Sequence, residues 1–370
     1  MSHTAEVIVV GLGIMGSATA ACLAQRGCQV VGFDVHHPPH NLGSSHGHTR
    51  AIRKAYFEDP RYVPLLLRSY DLWDQHSQGD TPFVQKTGGL MIGPETCEIV
   101  AGSRTSARSH GLEHKVLSAQ EMTALYPTLS VPSQFVGLWE ADAGLINPER
   151  AVRYFTEKAT SAGAQLLTHT KVVSWESRSG LNRVRTDDAL WTCEHLVFCT
   201  GAWSNKLLAC PCEPHRVVQY WFKPKSSHFG PQHFPINIWS LPDQRVVYAF
   251  PDVEGDGVKL GFHEYSEPVD PDQMNRRTSA KEQAEAEHYA YTLFQGLGSL
   301  IRSETCLYTA TADRHFIVGP HPQFRHVWLA TGFSGHGFKF APMIGKELAA
   351  RILDNKRDPL FDLFDPGRFI

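Results

Sequence analysis

The stretch VIVVGLGIMGSATAACLAQRGCQVVGFD constrains the fold more than any other part of the chain. Residues 7–10 form an unbroken apolar run, the pattern of a strand buried on both faces of a parallel sheet. Gly11, Gly13 and Gly16 follow in G-x-G-x-x-G spacing, and 17–25 is small and helix-compatible, with Gly27 as its stop. Gly11 takes the turn, Gly13 lets backbone approach a pyrophosphate, and Gly16 lets the helix pack closely on the strand. A second strand over 28–33 ends at Asp34, whose carboxylate can accept hydrogen bonds from an adenosine ribose. Together these parts predict a dinucleotide site of Rossmann type. They leave NAD and FAD both open.

Later segments read as further pieces of the same sheet. RAVRYFTEKATSAGAQLLTHTKVVSWES reads as a helix with Val152, Phe155 and Ala159 on one face, followed by two strands. VFCTGAWSNKLL reads as a strand, a turn at Gly201 and a short helix, and VWLAT at 327–331 as one more strand. The nucleotide-binding unit is therefore discontinuous, and the segments between its pieces form a second, sheet-rich unit. With no internal repeat or low-complexity linker, the two are expected to pack as one body.

The 370 residues are 42% hydrophobic and 20% charged, with a formal net charge of −3. That balance suits a globular enzyme and argues for no nucleic acid and no membrane partner. No apolar run is long enough to span a bilayer, and the chain opens almost at once on its first strand, so no secretory leader is expected. The eight cysteines (Cys22, Cys28, Cys97, Cys193, Cys199, Cys210, Cys212 and Cys306) form no C-x-x-C pair, so no metal site is expected. They read as reduced, part-buried small hydrophobes, which suits a cytoplasmic location, and the closing GRFI is not a peroxisomal address.

Downstream, GSSHGHTRAIRKAY, VVYAFP with GVKLGFH, CLYTATADRHFIVGPHP and ATGFSGHGFKF occur in an order that resembles the monomeric sarcosine oxidase family, along essentially the whole chain. The resemblance extends to N-methyltryptophan oxidase, sarcosine/pipecolate oxidase and, more distantly, fructosyl-amino acid oxidases. It implies FAD rather than NAD, and a monomer acting on a small amino acid and O2. The implied reaction oxidises the C–N bond of a secondary amino acid such as sarcosine to an imine and reduces O2 to hydrogen peroxide. The implied fold is mixed α/β (α+β): a Rossmann-like FAD-binding domain over 1–84, 145–215 and 306–370, with an antiparallel-sheet substrate domain over 85–144 and 216–305. A bulkier or cyclic amine, or a dehydrogenase with an acceptor other than oxygen, stays open at this point. A non-catalytic nucleotide-binding module would have no need of Arg53, Lys339, His263 and Cys306. An NAD(P)-dependent dehydrogenase would leave Cys306 unmodified and the protein colourless.

By the same resemblance, Cys306 carries FAD through an 8α-S-cysteinyl bond, with His46, Thr49 and Arg50 beside it. Lys259 would activate oxygen as a fixed cation. Gly335 and Gly337, having no Cβ, would let backbone N–H groups and a helix N-terminus face the flavin's pyrimidine edge. Arg53 and Lys339 would grip the substrate carboxylate, a planar fork beside a point charge. His263, Tyr248 and Tyr308 would line the substrate cavity and orient the amine, so the catalytic set is Lys259, His263, Arg50 and Tyr308. Alternation of Val258, Leu260 and Phe262 with Lys259, Gly261 and His263 separately predicts a strand with Lys259 and His263 on one face. One position departs from the pattern: His48 stands before Thr49 where relatives carry an acid, which is expected to alter the charge at the attachment site. The stretch SSHFGPQHFPINIW matches nothing in that pattern and would help set substrate size.

Overall fold

The computed structural model describes residues 2–77, 81–178 and 180–369, so the parts of the expected domains at 1, 78–80, 179 and 370 lie outside the described residues. The strand Ser2–Val10 is buried from Val7 to Val10 and lies between two parallel partners, Val30–Phe33 and Leu190–Phe198. Gln165–Leu167 continues the sheet beyond Val30–Phe33, and Val327–Thr331 lies parallel to Leu190–Phe198. Antiparallel strands Val172–Arg178, Leu181–Thr186 and Ile317–Pro320 complete an 8-stranded sheet. The expected second strand begins at Val30 rather than 28, because Cys28 still closes the preceding helix through its N–H to the Leu23 carbonyl.

The helix that follows the glycine fingerprint, Ile14–Ala24, is buried on nearly every side, since Pro148–Ser161 and Ala341–Asp354 both pack on it. Its alanines Ala18, Ala20 and Ala21 permit that approach, and a Cβ on Gly345 would come 2.8 Å from the Ala18 backbone. Gly16 serves the sheet side as expected: a Cβ there would lie 1.7 Å from the Gly11 carbonyl oxygen. Among the described residues no helix is long and apolar enough to cross a membrane.

A second 8-stranded sheet runs Leu297–Thr311, Cys212–Pro224, Val258–Phe262, Val246–Phe250, Ile236–Ser240, Gly89–Gly93, Val136–Glu140 and Lys115–Ser118. Its neighbours are antiparallel except Ile236–Ser240 with Gly89–Gly93. Buried aromatics including Phe222, Phe229, Phe234, Trp239 and Phe294 fill its core. A 3-stranded sheet of Arg50–Ile52, Gly144–Ile146 and Gln85–Lys86 carries the Arg50 motif.

The domain borders expected at 215/216 and 305/306 fall on two strands that pair with each other. Cys212–Pro224 pairs with Leu297–Thr311 in one ladder, from Cys212 opposite Thr311 to Pro224 opposite Leu297. Both expected borders cut this ladder, and hydrogen-bonded pairing does not stop at either point. We propose a substrate unit that extends to 212 and 311, so that Cys306 and Tyr308 belong to its sheet and face the other unit.

Candidate active site

A cavity of about 520 Å³ is lined by residues of both large sheets. Its wall carries Gly11, Gly13, Asp34 and Gly201, together with Arg50, Cys306, Tyr308, Gly335 and Gly337. The remaining expected residues (Gly16, His46, Thr49, Arg53, Tyr248, Lys259, His263 and Lys339) are not part of that wall. Asp34 accepts hydrogen bonds from the Leu12 N–H at 2.7 Å and the His36 N–H at 2.9 Å. Burial pushes its carboxyl up, but His40 and these two N–H groups outweigh burial and hold it below the usual range. An ionised acceptor on the wall suits a ribose hydroxyl.

Cys306 sits where the two units meet. Its sulfur is 3.7 Å from Nη2 of Arg50, whose guanidinium also donates to the carbonyls of Ser44 and Thr49, each at 2.9 Å. Burial alone would raise the thiol, yet His46 and Arg50 bring it down to about 6, so the thiolate predominates at neutral pH. His46 moves the other way: burial lowers it, but Cys306 and Glu304 raise it to about 9. Thr49 Oγ1 and both His46 ring nitrogens are buried without a hydrogen-bond partner among the described residues. Next to Thr49, Asp256 pairs with the His48 ring, and Glu149 accepts the Gly47 N–H at 2.7 Å.

Lys259 lies on Val258–Phe262 as the alternation predicted. Its Nζ donates to the carbonyls of Thr49 at 2.6 Å and Gly47 at 2.9 Å, and to Gln219 Oε1 at 3.4 Å. Burial first, then Arg50, pushes its ammonium well below the ordinary lysine value, against the pull of Glu149, Cys306 and Glu304. On the same strand Gly261 stands opposite Tyr248, and a Cβ there would lie 2.3 Å from the Tyr248 hydroxyl.

Arg53 is not a free clamp. Its Nη2 already pairs with Glu58 Oε2 at 2.6 Å, its Nη1 donates to the Ala55 carbonyl at 2.9 Å, and its guanidinium lies over the rings of Tyr56 and Phe57. Glu58 is half-buried, and its desolvation alone would raise it, but Arg53, His336 and Lys339 hold it down at about 2. Lys339 Nζ donates to the His336 carbonyl at 2.7 Å and to Tyr56 Oη at 3.2 Å. Burial and Arg53 bring Lys339 to about 7 despite Glu58. His263 Nδ1 is 3.4 Å from the Tyr308 hydroxyl, and burial, assisted by Arg53, Lys339 and Arg314 against Glu58, takes its ring to about 4. It is neutral at working pH.

Gly335 and Gly337 each have a close side-chain neighbour. Gly335 has φ +78°, and its missing Cβ makes room for the Tyr308 ring at 2.6 Å; the missing Cβ of Gly337 makes room for Phe333 at 2.5 Å. Sequence reasoning missed Glu58, Tyr56, His336 and Glu304. Only Glu58 left a readable signal, as the nearest carboxylate after Arg53 in RKAYFED.

A family model described as FAD dependent oxidoreductase matches residues 6–351. The chain therefore belongs to the FAD dependent oxidoreductase family. It is 39% identical to a monomeric sarcosine oxidase of Streptomyces avermitilis, over 100% of this chain and 98% of that protein. An N-methyl-L-tryptophan oxidase of Yersinia pestis is 31% identical, over 98% of this chain and 99% of the relative. A glycine oxidase from Geobacillus kaustophilus has the same fold, with a TM-score of 0.83 at 21% identity over 100% of both chains. The expected fold class and the choice of FAD over NAD both hold. The chain is a flavin-dependent enzyme similar over its full length to amine oxidases. Its own residues fit FAD: the glycine turn and ionised Asp34 on the cavity wall, a cysteine thiolate on the same wall, and buried Thr49 and His46 side-chain atoms without a partner among the described residues.

Proposed function

We propose that this protein oxidises the C–N bond of a secondary amino acid such as sarcosine to the imine and passes the electrons to O2 as hydrogen peroxide. One observation carries the reading: Arg53 and Lys339 are both buried, and Glu58, the carboxylate that pairs with Arg53 at 2.6 Å, is among the described residues the one acid whose charge opposes both of them. A substrate carboxylate brings that buried group to charge balance, which a low-dielectric site favours. Lys339 offers its ammonium directly, and Arg53 shares its fork between Glu58 and the incoming acid. Neutral His263, Tyr308 and Tyr248 orient the amine without protonating it, so its lone pair stays available. Hydride leaves carbon from an already electron-rich neutral amine, and no strong protein base is demanded.

Bound FAD supplies the two-electron acceptor. In this reading Gly11, Gly13, Gly16, Asp34 and Gly201 hold its dinucleotide part, and the Gly335–Gly337 loop faces its ring. Cys306 is the attachment atom for the 8α carbon, with His46, Thr49 and Arg50 around the thiolate. Lys259 serves the oxygen reaction. The protein works as a cytoplasmic monomer with no nucleic-acid or membrane partner. Aerobic turnover of sarcosine, followed by a peroxidase-coupled assay, tests the proposal: peroxide should appear in step with sarcosine loss. Sarcosine loss without peroxide would transfer the electrons to another acceptor and overturn the oxidase.

A further inference from the structure

Glu304 has no task in the reaction as described, yet it is placed as if it had one. It lies two residues before Cys306 on Leu297–Thr311, so strand alternation sends both side chains to the same face. Its Oε2 is 3.7 Å from Nδ1 of His46, and among the described residues it is the carboxylate within 4.0 Å of that ring. His46 is only 2% exposed, and neither of its nitrogens has a hydrogen-bond partner among the described residues. A cationic ring so deeply buried needs a countercharge within reach, and Glu304 supplies one at 3.7 Å. Charges alternate outward from Glu304. Its Oε1 is 3.3 Å from Nε of Arg302, Nη1 of Arg302 is 3.9 Å from Oδ1 of Asp256, and Asp256 pairs with half-exposed His48. Arg302 is held over the Trp221 ring at 4.2 Å.

We propose that Glu304 is a positioning residue that holds His46 protonated, so that Cys306 stands ready as a thiolate for the cofactor. This deepens the reading of Cys306 as the attachment residue and rests on it. The other polar groups around the pair do not substitute for Glu304. Arg50 opposes protonation of His46, and Lys259 and Gln219 are engaged with each other and with the Gly47 and Thr49 carbonyls. Glu149 is taken by the N–H groups of Gly47 and His48, and burial keeps the Tyr248 and Tyr308 hydroxyls protonated.

The test is the pH profile of iodoacetamide alkylation at Cys306 in the full-length chain produced without flavin, read by mass spectrometry of the Cys306 peptide. In wild type the midpoint should lie near pH 6. In E304Q it should rise by at least about one unit, so that alkylation at pH 6 falls about fivefold, and E304D should recover part of the loss. Should E304Q not fold, E304D alone carries the test: its shorter arm should place the midpoint part-way between pH 6 and pH 7. A wild-type midpoint in the folded variants overturns the proposal. The attachment reading fails separately, if C306A holoprotein still carries flavin that acid cannot extract.

Discussion

At pH 7 the Lys339 ammonium is near half titration, because burial and Arg53 press its proton off while Glu58 retains it. The charged form predominates below about 7 and is lost as pH rises through that value, and the charged form is the one a carboxylate needs. Acetate, fully ionised throughout this range, isolates the protein's own titration. Its dissociation constant, read from the flavin spectrum, should be flat below pH 7 and weaken about tenfold per unit above it. K339M should bind acetate weakly with no such slope; a slope that persists in K339M would assign the titration elsewhere. Lys259 invites a different comparison. K259M should slow the oxygen half-reaction about a hundredfold while leaving reduction by amine within a few-fold, the size of loss seen when one preorganised charge is removed. Stopped-flow measurement of both halves decides it, and equal slowing of the two refutes the role. C306A should release its flavin into acid supernatant, measured by absorbance after precipitation.

Several elements were legible because their chemistry is local. The buried run at 7–10, the glycine spacing and Asp34 all lie within one continuous stretch, and Gly11 and Gly16 have the turn and the close packing that spacing implies. The alternation around Lys259 likewise predicted its strand. Pairing between distant segments was not legible. Nothing near 215 or 305 announces that Cys212–Pro224 and Leu297–Thr311 form one ladder, so the borders fell inside it. Gly335 shows the same limit: its glycine character was readable, but the ring it accommodates belongs to Tyr308, on another strand. G335A should therefore be costly even before cofactor binds. Positive φ and the close contact together predict about 1–3 kcal/mol of lost stability, seen as a melting temperature several degrees lower and reduced flavin content. An unchanged melting temperature would show that the Tyr308 ring yields freely.

Across the whole molecule, two sheets meet at one cavity, and the residues with chemistry divide between them. The parallel sheet brings the dinucleotide turn, while the antiparallel sheet brings Cys306, Tyr308 and Lys259 from two of its strands. Arg53 and Lys339 come from outside both sheets, and what the sequence could not reveal about them was burial. Arg53 reads as a ready clamp until Glu58 is seen against it, whereas Lys339 Nζ has no carboxylate partner among the described residues and donates to the His336 carbonyl and Tyr56 Oη. Anaerobic addition of sarcosine to the purified yellow protein, with flavin absorbance followed in time, tests the central claim most directly. Rapid bleaching is predicted, with one equivalent of imine formed per flavin. Flavin that stays oxidised at saturating sarcosine would contradict a site built for small N-methyl amino acids.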